Sequence, residues 1–248
     1  MRPQCLTYLK EKGTVWFNPC YGIIGFWNEY RKLTVKLNKP HKYIWSHRDL
    51  KRAKEIYAIS IIAMAINIPK EKEENWMIQK PENDPPDGVI GTIILKNEYQ
   101  EMHVREVEVV EHINGNILDT IRKKLAGKRY EPNTILVCYV SGSGVYDMEK
   151  ISQIISKETT NLNHIFLVFP GVKLTDIPEN VNDDKFLSTI AKYSLVQIKP
   201  VYNFVSINPK EDCEAWKRGN NPNYFIFEGR GTKKGFHSIT SENPPKLF

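Results

Sequence analysis

Between Gly88 and Phe169 the apolar residues of this chain switch period several times, and the order of those switches restricts the fold more than any other feature. GVIGTIIL (88–95) and MHVREVEVV (102–110) read as strands, with valines and glutamates taking opposite faces in the second. A helical spacing follows over about 116–129, then the strand NTILVCYVS, a helix over about 148–156 and the strand HIFLVF. Two adjacent strands followed by helix–strand alternation predict an α/β fold, a mixed β-sheet core flanked by helices. Upstream, a helix is expected from Ser46, a candidate N-cap, through the apolar run 56–68 to Pro69, with NWMIQK as a short strand after it. The spacing divides the chain into a β-rich N-terminal extension over 1–45, in which RKLTVKLNK alternates like a strand, a core over 46–170, and a β-rich addition over 171–248 packed on that core. In the last part LVQIKPVYNFVSI reads as strand and NYFIFEGRGTKKGFHSI as a hairpin turning at its glycines.

The run IYAISIIAMAINI, at thirteen residues, is too short to span a bilayer and predicts a buried helix, so no membrane association is expected. No apolar segment with a small-residue cleavage site opens the chain, and Cys5, Cys20, Cys138 and Cys213 show neither CxxC nor regular spacing. Both observations fit a reducing, cytoplasmic setting. Charge is uneven. The whole chain carries +6, yet Arg31 to Lys54 contains nine Lys/Arg against the single Asp49. Such a segment is either a solvated face or a contact for a polyanion, whose phosphates release counterions when neutralised.

Glu106 and Glu108 share one face of their strand, and two carboxylates aimed the same way call for a positive partner. Asp87, at the mouth of the preceding strand after Pro85 and Pro86, joins them if the two strands form an antiparallel hairpin. The partner is then either a Mg²⁺ ion, which takes hard oxygen ligands, or a lysine. SGSG at 141–144 lacks the Lys and Ser/Thr of a phosphate-binding loop and reads as a plain loop; Glu111 is expected just past the strand, in solvent, and His112 either near the site or, as the favoured reading, on the surface.

PPDG followed by EVE, and then by a helix bearing lysines, resembles the PD-(D/E)xK nuclease superfamily. Pro86-Asp87 matches the first element and Glu106-Val107-Glu108 the second, with Glu108 where the family's lysine normally stands. The resemblance spans about residues 46–170 and implies a restriction-endonuclease-like fold. It implies Mg²⁺, with Mn²⁺ able to substitute, held by Asp87, Glu106 and the carbonyl of Val107. It further implies that Glu108 or a helix lysine, Lys124 or Lys128, orients the attacking water, and that Glu55 on the first core helix shapes the outer site, unless it simply pairs with Lys51. The expected activity is endonucleolytic cleavage, DNA being the favoured partner and a homodimer a common arrangement. Lys51, Arg52, Arg230, Lys233 and Lys234 are the expected nucleic-acid contacts. A nucleic-acid-binding protein that keeps this fold without catalysis is the alternative.

Overall fold

The computed structural model describes residues 14–67, 75–81, 86–96, 99–142, 144–158, 161–170, 193–200, 202–208, 224–227 and 236–238. After the short strand β1 (Thr14–Phe17), Asn18 starts a helix: its side chain accepts the Cys20 N–H at 2.8 Å, and Pro19 follows at the first helical position. The helix α1 (Pro19–Leu37) buries Ile23, Phe26, Trp27, Tyr30 and Leu33, a stripe at three- and four-residue spacing, and stops at Asn38 in the left-handed conformation. The expected β-rich extension is therefore mostly helical, and RKLTVKLNK is the end of α1 rather than a strand.

A five-residue helix α2 (His41–Trp45) and a 3₁₀ turn (Arg48–Leu50) lead into α3 (Lys51–Asn67). Ser46 does not cap α3. It closes α2, its hydroxyl donating to the carbonyls of Lys42 and Tyr43. Every residue of α3 from Ile56 to Ala65 is buried, including Ser60, whose hydroxyl donates to the Ile56 carbonyl at 2.7 Å. Close approach of α1 to α3 is set by Gly22, since a Cβ there would lie 2.1 Å from Ser60 Oγ.

The strands form one ten-stranded sheet. Its centre is the antiparallel meander β2 (Met77–Gln79), β3 (Gly88–Lys96) and β4 (Tyr99–His112). The helix α4 (Ile117–Leu125) crosses to β5 (Ile135–Val140), which runs parallel to β4, and α5 (Met148–Lys157) crosses to the parallel β6 (His164–Pro170). All other pairings are antiparallel. The strands of the C-terminal part separate: β7 (Tyr193–Lys199) and β8 (Asn203–Ile207) extend the sheet beyond β6, while β9 (Tyr224–Phe227) and β10 (Phe236–Ser238) extend it beyond β1.

Residues of β5 alternate between two cores. Ile135, Val137 and Tyr139 pack with α1 and α3 on one face, and Leu136, Cys138 and Val140 pack with Ile117, Ile121, Ile151 and Ile155 of α4 and α5 on the other. Val107 belongs to the first core and Val110 leans on the second, so Glu106 and Glu108 face the α4 side. Among the described residues no helix is long and apolar enough to cross a membrane.

Candidate active site

The site forms where β3 begins. Gly88 pairs with Val107, so Asp87, one residue earlier, lies across from Glu108. A Cβ on Gly88 would come within 2.3 Å of Ile59 Cδ1, which shows how tightly α3 presses on this strand start. Asp87 Oδ2 accepts the Val109 N–H at 2.6 Å, clamping the carboxylate onto β4.

A lysine stands beside two of the acids, Asp87 and Glu108. Asn116 accepts the Leu118 N–H at 3.0 Å and starts α4; Ile117 and Ile121 turn one face of that helix to the sheet. Lys124 continues the same face one turn on, and its Nζ stands 2.8 Å from Glu108 Oε2 and 3.3 Å from Asp87 Oδ2. The side chains of Lys124, Asp87 and Glu108 are 17 %, 9 % and 7 % exposed, so the three charges interact with little water between them. Burial works against the Lys124 ammonium, but the hydrogen bond to Glu108 and the charge of Asp87 outweigh it and raise its pKa. Tyr130, on the loop after α4, donates its hydroxyl to the Lys124 carbonyl at 3.1 Å, and burial followed by the charge of Glu108 pushes its phenol up.

Glu106 stands one step along the same face, and its Oε1 is buried without a hydrogen-bond partner. Burial first, then the charges of Glu108 and Glu131, raise the pKa of its carboxyl. Glu55 approaches from the opposite face of the sheet, on α3. It pairs with Arg52 at 3.1 Å and Lys51 at 3.8 Å, and its pKa is raised by burial and by the charge of Asp87. Asp87, at a strand end, is thus felt by charges of both layers.

Asp87, Glu106, Glu108 and Lys124 come together as expected, and Glu55 joins them electrostatically while also pairing with Lys51. Lys128 does not: α4 ends at Leu125, Gly127 takes φ +70°, and Lys128 stands over the Tyr130 ring, 5.9 Å from its centroid. Lys51 and Arg52 are held by Glu55. Arg230, Lys233 and Lys234 lie outside the described residues. Glu111, expected in solvent, and His112, expected near the site or on the surface, are still part of β4. Glu111 bridges to the buried Lys54 at 2.6 Å, and the buried His112 has Nδ1 2.9 Å from Thr120 Oγ1, with burial lowering its pKa. Tyr130 and Glu131 are the site residues that sequence reasoning missed; no periodicity marks them, and their only signal is an aromatic–acid pair between the lysine helix and β5.

Mg²⁺ usually takes one or two carboxylates and completes its shell with water and substrate phosphate. Asp87 and Glu108 supply two carboxylates from facing strands, and the unpartnered Glu106 oxygen is a further hard acceptor on the same face, so the donor set fits such an ion. Among the described residues no three His, Cys, Asp or Glu side chains form a ready-made cage. Searches against known protein families, characterised proteins and solved structures find no match to this chain.

Proposed function

We propose that the protein is a metal-dependent phosphodiester hydrolase, a nuclease acting on DNA. The observation that carries this reading is Lys124, which reaches from the helix after β4 to stand between Asp87 and Glu108. An Asp at a strand start, a carboxylate on the neighbouring strand and a lysine beside both is the chemical set that the PD-(D/E)xK resemblance implies. The order of helix, three-strand meander, helix and parallel strand supports the same reading of the core as restriction-endonuclease-like. One reassignment follows from the register. Glu108, not Glu106, opposes Asp87, so these two would hold the metal, and Lys124 supplies the ammonium missing from position 110, where a valine stands.

Three carboxylates against one ammonium leave the cluster negative when all are ionised, which favours a divalent cation and then a phosphate bound to it. When bound, such an ion would polarise the scissile phosphate and lower the pKa of a coordinated water. Lys124 is fixed by its two ion pairs and by the docked face of α4, and offsets negative charge as it builds on the phosphorus centre. Glu106, whose carboxyl is made more basic by burial and by the charges of Glu108 and Glu131, is suited to take a proton from water. Glu55 biases Asp87 from the far face of the sheet.

A second reading, a nucleic-acid-binding protein with a silent site, is favoured by one fact: Lys124 pairs with both Asp87 and Glu108, so each of these carboxylates has a positive partner within the chain. Cleavage of plasmid, single-stranded DNA and RNA with Mg²⁺, Mn²⁺ or EDTA separates the two. Metal-dependent cutting that falls by about a hundredfold or more in Asp87→Ala and Lys124→Met, with binding in EDTA retained, is the expected outcome. Binding without metal-stimulated cutting selects the silent reading, and absence of both sinks the nuclease proposal.

A further inference from the structure

The ammonium of Lys124 is placed only as well as the turn of helix that carries it. Lys124 is the last but one residue of α4, and helix ends fray. The buried anchors Ile117 and Ile121 lie earlier in the helix, and Leu125 continues the apolar face while only half-buried. The Lys128 N–H, which would take the Lys124 carbonyl if the helix went on, goes to the Leu125 carbonyl instead, at 3.3 Å. Ala126 has already turned extended, and Gly127, at φ +70°, bends the chain back. A side chain then takes the orphaned carbonyl: the Tyr130 hydroxyl donates to it at 3.1 Å.

Tyr130 is itself held on several sides. Its ring leans on the core shared by α4 and α5, and its carbonyl accepts the Asn161 side-chain amide at 3.3 Å. Two residues on, the Pro132 carbonyl accepts the Asn163 N–H at 3.3 Å, so the chain after α4 is stitched to the segment that leads into β6. Burial, and then the charge of Glu108, disfavour ionisation of the phenol, which keeps it a donor toward Lys124. Filling this space would need a ring but no hydroxyl. The hydroxyl is spent on the one backbone carbonyl whose residue carries the ammonium of the site.

We infer that Tyr130 is a positioning residue: by holding the Lys124 carbonyl through its hydroxyl, it sets the last turn of α4 and keeps the ammonium between Asp87 and Glu108. Its part in catalysis rests on the nuclease reading, in which a lysine displaced by about 1 Å loses much of its effect on charge developing at phosphorus. The tether itself is open to a test that needs no cleavage.

The full chain is treated with a trace of acetic anhydride and the acetylation rate of each lysine is read by mass spectrometry, in wild type and in Tyr130→Phe, which keeps the ring and deletes the hydroxyl. Lys150, exposed on α5, is the reference, and Lys54, buried against Glu111 on the α1 and α3 face of the sheet, reports general loosening. Lys124 in wild type is expected to react more slowly than Lys150. In Tyr130→Phe it is expected to react about two- to tenfold faster than in wild type, the factor that one hydrogen bond is worth, with Lys54 unchanged. Equal Lys124 rates in the two proteins would overturn the inference. So would Lys54 accelerating alongside Lys124, since that describes a less stable fold and not a released tether. In cleavage, kcat is expected to fall about tenfold or more in Tyr130→Phe while oligonucleotide affinity in EDTA is retained, and a kcat equal to wild type would refute the positioning role. Absence of cutting by wild type would sink the nuclease reading alone, and the acetylation rates would still decide the tether.

Discussion

Glu106 is an acid whose ionisation the fold opposes, through burial and through Glu108 and Glu131. Its ordinary pKa is 4.5, so below that pH it is protonated in folded and unfolded chains alike. As pH rises toward the higher folded value, the unfolded chain releases the proton first and the folded state loses stability. Glu106→Gln removes that loss. Its Tm at pH 7 is expected to exceed wild type by up to about 3 °C, the gap closing as pH is lowered toward 4, as read by calorimetry in EDTA. A variant melting below wild type at pH 7 would show that a cation, not water, already answers this carboxylate. Asp87, Glu106, Glu108 and Lys124 were all legible as candidates in the sequence. Which glutamate faces Asp87 was not, because that depends on hairpin register, and residues 97 and 98 between the strands carry no turn signature that specifies it. Lys128 was misplaced because helical spacing does not say that α4 stops two residues before Gly127.

At the scale of elements, α3 is walled in by α1 on one side and the sheet on the other, and Gly22 leaves no room for a Cβ against Ser60. Gly22→Ala would force a methyl against Ser60 Oγ and Ile78 Cδ1, an overpacking expected to cost about 1–3 kcal/mol in urea unfolding. Adding Ser60→Ala deletes the nearer atom and should recover part of that loss; no recovery would mean that Ile78, not the hydroxyl, is the obstacle. The strands from β3 to β6 and the helices between them were readable in existence and order because their apolar periods run over six or more residues, though not in the end of α4. The α1 helix was hidden. Its core stripe is aromatic and interrupted by Gly22 and Gly25, and Thr34 and Val35 near its end mimic a strand alternation. The cap formed by Asn18 and Pro19 was the overlooked signal.

Considered as a whole molecule, the acid–lysine cluster depends on both layers: the sheet supplies Asp87 and Glu108, α4 brings Lys124 and α3 brings Glu55. A divalent ion bound there would stabilise the entire fold by mass action, about 2.7 kcal/mol at a hundredfold excess over Kd, or a Tm rise of about 5–10 °C. Thermal unfolding with and without Mg²⁺ should show that rise in wild type and lose it in Asp87→Ala; identical curves in wild type would count against a metal at this site. The alignment of β4 on β3 has a wider consequence. Sliding β4 by one residue would turn Glu106 and Glu108 into the packed layer of α1 and α3 and bring a valine beside Asp87. The misaligned chain would then bury two charges with nothing to answer them, while Lys124 hung over an empty place. The same four side chains read as chemistry therefore also act as a key against misassembly, and a substitution that makes the cluster apolar would remove a checkpoint from folding along with whatever reaction it supports.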